Sequence, residues 1–178
     1  MRKNYILSAL LLLISGLWFN GNAQNFANVS DFVQITSDGD MKMVELKPIQ
    51  NIVSSLEQKG YLLLSSTPIT MESVSYDEEG NEENYSYPAK EDFFLHSDYG
   101  TVKIKSVENL PYMTEIELSC MGEGKNGPFI KDALSKGFVE GNPDGLMQCY
   151  NLVLDDMPSL LYFEAMEDSD YVKLYFAE

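Results

Sequence analysis

Histidine, cysteine and basic residues are all scarce in this chain, and each scarcity removes a class of chemistry. His96 is the sole histidine. A Ser-His-Asp or Cys-His site would have to use it, since no other side chain titrates near neutral pH without perturbation. No G-x-S-x-G nucleophile elbow accompanies it, so His96 reads as a structural or surface residue despite Asp98 nearby. Cys120 and Cys149 are the only thiols. Zinc centres built from several His and Cys ligands are therefore out of reach unless both stay reduced. With no C-x-x-C pair, a dithiol redox motif is absent too. Lys and Arg number 12 against 28 acids, a balance that repels phosphate backbones and argues against nucleic acid and anionic membrane as partners. The apolar run Ile6–Ile14 falls short of the roughly 20 residues a membrane-spanning helix needs.

That short run makes sense as part of an export signal. Arg2 and Lys3 precede it and Asn20-Gly21-Asn22-Ala23 follows it, which predicts a signal peptide over residues 1–23 cut before Gln24. No Cys lies near the cut, so lipidation of a new terminal Cys is not expected. The mature chain is then exported, either periplasmic or secreted, with no membrane insertion. Removing 23 of 178 residues leaves 155, enough for one ordinary domain or two small fused repeats. Ten bases (12 less Arg2 and Lys3) stand against 28 acids, a formal charge of −18. This charge favours a soluble monomer and points toward a basic partner or a divalent cation. An even cysteine count in an oxidising compartment predicts a Cys120–Cys149 disulfide, contributing on the order of 3 kcal/mol by restricting the unfolded chain. Two buried free thiols are the alternative.

Lys47–Tyr61, KPIQNIVSSLEQKGY, organises the first half. Ile49, Ile52, Val53 and Leu56 recur at i, i+3, i+4 and i+7, one apolar face of a helix. Gly60 suits the left-handed stop, and Tyr61 should then return to Leu56. Pro128–Phe138, PFIKDALSKGF, repeats the device with Gly137 and Phe138. Short strands are expected at Phe32–Ile35 and Met41–Leu46, after a loose Gln24–Asp31. Beyond the first helix come Tyr61–Ser65, Ile69–Asp77, Tyr85–Lys90, Asp92–His96, Thr101–Val107 and Tyr112–Cys120. The glycine-rich Met121–Gly127 marks a boundary between halves. Leu146–Leu154, Leu160–Ala165 and Tyr171–Phe176 close the chain, after a turn at Asn142-Pro143-Asp144-Gly145. The fold class predicted is α+β: two helix-plus-antiparallel-meander repeats with helices packed on one face of the sheet. Residues 24–121 hold the first repeat with its N-terminal strands, and 122–178 the second.

The two helix–Lys-Gly-aromatic junctions resemble those of exported proteins from Gram-negative gut bacteria with tandem repeats of the β-lactamase-inhibitor-protein and PepSY kind. The similarity covers about two thirds of the mature chain. It implies a helix on an antiparallel sheet and a habit of binding, with no catalytic residue to carry over. The cysteines depart from the inhibitor pattern, since a bridge here would tie the halves together.

Asp77–Glu83, DEEGNEE, crowds five carboxylates around a glycine and reads as a solvated hairpin tip. Tyr76, Tyr85, Tyr87, Phe93, Phe94 and Tyr99 gather near it. Tyr beside carboxylate suits a recognition surface, because Tyr gives large contact area at low entropy cost. By strand alternation Phe93 and Leu95 share one face and Phe94 and His96 the other, so at least one ring belongs to the core. The candidate binding residues are Asp77, Glu78, Glu79, Glu82, Glu83, Tyr85 and Tyr87. The expected function is a non-catalytic module engaging an unknown protein or peptide, basic by the charge argument, through this hairpin and a sheet face. No cofactor or metal ligand is expected. A calcium-stabilised envelope protein is the alternative, although the acidic spacing lacks EF-hand alternation, as do the short turns Asp38-Gly39-Asp40 and Asp168-Ser169-Asp170. A hydrolase is the remaining class, its paired carboxylates uninformative among 28 acids and a small meander offering little cleft.

Overall fold

The computed structural model describes residues 26–38, 41–77, 79–141, 148–154 and 157–176. The expected signal peptide, Glu78 and the Asn142–Gly145 turn lie outside them. In chain order the elements are α1 (Val29–Phe32), β1 (Val33–Asp38), β2 (Met41–Leu46), α2 (Ile49–Gln58), β3 (Leu62–Tyr76), β4 (Glu82–His96), β5 (Gly100–Val107) and β6 (Leu110–Cys120). Then follow α3 (Gly127–Ser135), β7 (Phe138–Glu140), β8 (Gln148–Leu154), β9 (Met157–Ala165) and β10 (Tyr171–Phe176). Strands β1 and β2 form their own antiparallel ribbon. The other eight make one antiparallel sheet in the order β3-β4-β5-β6-β10-β9-β8-β7. The class is α+β, with a large antiparallel sheet and few helices. Among the described residues no helix is long and apolar enough to cross a membrane.

Local chemistry explains α2. Its stop is a Schellman turn: Tyr61 N–H reaches Leu56 O at 3.0 Å and Gly60 N–H reaches Glu57 O at 3.0 Å. Gly60 sits at φ +90°, where a side chain is strained. Ile52 and Leu56 are fully buried, as the 3.6-residue spacing predicts. Gly137, at φ +92°, ends α3 in the same left-handed way.

Strands β5 and β6 bury alternate residues, with Val102, Ile104, Ile116 and Leu118 inward, so one face is apolar and the other polar. The inward side chains join Phe94, Phe163, Val172 and Leu174 in one cluster with residues of α1, α2 and α3. Phe163 is packed edge-on by Phe129 of α3 at 5.2 Å, and Phe129 in turn meets Phe32 of α1 at 6.5 Å. Of the two faces that alternation leaves open, that of Phe94 turns to the core: Phe94 is fully buried, while Leu95 is exposed.

Three expectations need correction. The helices are not a layer packed on one face of the sheet, each over its own half. Helix α2 comes closest to the edge strand β3, α3 to the opposite edge strand β7, and α1 lies against both helices. Burial of Val29 and Phe32, both fully enclosed, makes α1 a helix where the polar run Gln24–Asp31 suggests a loose segment. The Cys120–Cys149 disulfide is also absent, and Cys120 is a free thiol. The second meander joins β6 through its last strand, β10, so Cys149 in β8 lies three strands away. Ser119 beside Cys120 pairs with Tyr171 of β10, and Cys149 pairs with Glu164 of β9. Three inter-strand spacings make roughly 14 Å, twice the Cα separation of about 7 Å that a disulfide can bridge.

Candidate binding surfaces

The predicted binding residues sit on an arm of the β3–β4 hairpin. The two strands pair continuously from Leu62↔Leu95 to Tyr76↔Glu82, with a bulge between Leu63 and Ser65. Strand β5 pairs with β4 only from Ala89 onward. Thr70–Pro88 is therefore a two-stranded ribbon projecting beyond the sheet, and none of its described residues is fully buried. From sequence alone β3 divides between Ser65 and Ile69 and β4 at Glu91, whereas the ladder makes each a single strand with a proline inside it. Pro68 lies on the outermost strand, and Pro88 pairs with Thr70 just beyond the end of β5. In both places the missing N–H costs little, because one side of the strand has no neighbour.

At the tip, Asp77 folds the turn around its own side chain. Its Oδ1 accepts from the N–H groups of Glu79 (2.9 Å) and Asn81 (2.8 Å), and its Oδ2 accepts from Asn81 Nδ2 at 2.8 Å. The Asn81 amide, chief among these donors, holds the Asp77 carboxyl below its usual pKa. Glu79, Glu82 and Glu83 are exposed. The Tyr85 hydroxyl donates to the Glu83 carboxylate, a bond that raises the Tyr85 pKa. Tyr85 stacks on half-buried Tyr87, with ring centres 6.5 Å apart and planes 26° apart. Tyr76, at 70 % exposure, is the most open of the arm's rings. The structure thus brings Asp77, Glu79, Glu82, Glu83, Tyr85 and Tyr87 together on one projection.

Alternation places Glu83, Tyr85 and Tyr87 on the face that continues, past Phe93, onto the side of the sheet away from the core. There Lys103, Glu117, Lys173 and Glu164 form a cross-strand row. Lys103–Glu117 (3.2 Å), Lys105–Glu115 (3.3 Å), Lys105–Glu117 (3.4 Å) and Lys173–Glu115 (3.4 Å) are ion pairs. Burial would raise the Glu117 carboxyl, but Lys103 and Lys105 outweigh it and the net shift is downward. The lysine-poor chain has concentrated three lysines here, so this face is locally balanced while the arm is acidic.

Two hollows escape a reading that treats the sheet as flat. A groove of about 1360 Å³ runs between the sheet end and the β2–α2 segment, lined by Leu46, Ile49, Val53, Val107, Pro111 and Tyr112 among others. Lys90 borders it and reaches Asp92 Oδ2 at 2.7 Å. Asp92 is 2 % exposed, and its Oδ1 has no hydrogen-bond partner. A smaller cavity of about 260 Å³ lies among Phe26, Tyr61, Tyr99, Leu118, Cys120 and Phe129. Its thiol is inert in character, since burial pushes Cys120 up to about 11. No periodicity announces either hollow, because both arise where separate elements fail to close.

His96 packs between Tyr61 (5.1 Å) and Tyr99 (4.5 Å). Its Nδ1 accepts the Asp98 backbone N–H at 3.0 Å, so the nearby aspartate meets the ring through its main chain. Among the described residues no three His, Cys, Asp or Glu side chains converge as a metal site. Compared with family models, curated proteins and solved structures, the chain finds no match.

Proposed function

We propose that this chain is an exported, non-catalytic binding module that engages a protein or peptide through the β3–β4 arm and the adjoining charged face of the sheet. The observation that supports it is the arm itself. It spends 19 residues, Thr70–Pro88, on a ribbon whose described members bury nothing fully, so its tyrosines and carboxylates do little for the core. Tyrosines held rigidly by ladder pairing, within an acidic field, suit a basic partner and a salt-sensitive association rate. The order helix, four strands, helix, four strands supports reading residues 24–121 and 122–178 as two repeats of the β-lactamase-inhibitor-protein or PepSY kind. The calcium reading has less support, because both Asp77 oxygens are already engaged by protein donors.

The test is to capture envelope partners on the immobilised mature chain and measure their association kinetics. Replacing Asp77, Glu78, Glu79, Glu82 and Glu83 by their amides should slow association and flatten its salt dependence, with folding intact. An unchanged rate, and unchanged capture by a chain lacking the arm, would remove the proposal.

A further inference from the structure

We propose that the free edge of β3 is the seat of a second copy of this chain, the two β3 strands pairing antiparallel about Ile69. Strand β3 is the first strand of the sheet and, among the described residues, has a strand neighbour only in β4. None of its 15 residues is buried. Protein edges of this length are usually blunted by lysines or other charges. In LLLSSTPITMESVSY the single charge is Glu72, within a chain that carries 28 acids and 12 bases.

The exposed apolar residues lie at the two ends of the strand. Leu62 (67 %), Leu63 (47 %) and Leu64 (55 %) stand at one end, Val74 (41 %) and Tyr76 (70 %) at the other. A two-fold axis at Ile69 brings each leucine cluster alongside the Val74–Tyr76 end of the other copy, so the exposed apolar ends cover one another. The bulge at Leu64 shifts the outermost pairs by one residue and leaves that match in place. The same axis sets Glu72 opposite Ser66 of the other strand. The two Glu72 side chains are then six residues apart, roughly 20 Å, beyond the screening length of about 8–10 Å in ordinary salt. The acidic tips point to opposite ends of the pair. Pro68, next to the axis, withholds one ladder bond per strand.

Association also completes an incomplete element. A two-stranded ribbon packed on neither face is marginal in water, and the pairing lays residues 70–76 of each ribbon beside residues 62–68 of the other copy, where β3 already belongs to the eight-stranded sheet. Two acidic chains repel as a whole, so the dimer should tighten as salt screens them. The acidic surface by itself favours a monomer; the edge overrides it once that repulsion is screened.

Sedimentation equilibrium on the mature chain should show reversible monomer–dimer exchange, strengthening from low to high ionic strength. Ser66 is exposed, so its substitution leaves the fold intact, as circular dichroism would verify. Ser66→Glu faces Glu72 twice per dimer and should weaken association roughly fivefold to tenfold, whereas Ser66→Lys should tighten it by a similar factor. A monomer at millimolar chain and molar salt overturns the proposal. So does a dimer indifferent to both Ser66 substitutions.

Discussion

Lys59 Nζ lies 2.6 Å from Asp31 Oδ2, and this pair fastens the N-terminal segment to the end of α2. Asp31 is 4 % exposed. Its Oδ1 takes the Ser55 hydroxyl at 2.6 Å, and its Oδ2 also accepts Asn28 N–H at 2.7 Å. Lys59 spends a second hydrogen on Phe26 O at 2.9 Å. Removing one side leaves buried polar groups without partners. Asp31→Ala should therefore lower stability by about 3 kcal/mol in urea unfolding. Lys59→Met should cost a comparable amount, and the double variant should cost less than the sum of the two.

Gly100 begins β5 at φ +100°, and a Cβ there would stand 1.9 Å from Ser119 O. Backbone of β6, paired through Gly100↔Cys120, is the obstacle, so no rotamer relieves it. Gly100→Ala should cost more than 3 kcal/mol by combining left-handed strain with the clash. Thermal unfolding checks this, with Gly80→Ala as the control: Gly80 shares a positive φ but has open space around it.

The strand order predicts two thiols rather than a bridge. Thiol titration of the unreduced protein in denaturant should count two per chain. In the folded state Cys120, with its pKa pushed up to about 11, is only about one thousandth ionised at pH 8, and alkylation there should be correspondingly slow. A single fast-reacting thiol, or none in denaturant, would contradict the register.

Tyr61 is 3 % exposed, and its hydroxyl accepts Ala27 N–H at 3.2 Å. Burial raises its pKa to about 12. The unfolded chain gives up this proton near pH 10, so above that pH the folded state holds more protons than the unfolded. The contribution is complete below pH 10 and is lost as pH rises toward 12, a decline of about 2 to 3 kcal/mol. Tyr61→Phe should flatten that part of the stability–pH curve.

Because no described residue of Thr70–Pro88 is fully buried, the arm should be removable. Replacing Met71–Tyr87 by an Asn-Gly turn, which favours the tight hairpin connection, should move the thermal midpoint by only a few degrees. It should at the same time abolish partner capture and dimerisation. Loss of the cooperative transition would show that the arm supports the core after all.

What the sequence determined by itself is what depends on a few consecutive residues. Ile49, Ile52, Val53 and Leu56 fix a helix face, Gly60 and Tyr61 stop it through bonds to Glu57 and Leu56, and alternation puts Phe93 and Phe94 on opposite faces. The acidic Tyr-rich tip was equally legible, because its carboxylates resist burial wherever the chain places them. Tertiary structure alone decided matters of pairing at a distance. That β10 joins β6 separates Cys120 from Cys149, and no local pattern carries that choice. Tyr61–Ser65 and Ile69–Asp77, like Tyr85–Lys90 and Asp92–His96, read as separate strands until the ladder joins each pair into one. The four-residue α1 exists because Val29 and Phe32 find a core to enter, which a polar segment does not reveal. Local propensity is written within one turn of chain, whereas strand order is settled by which apolar faces can be buried together.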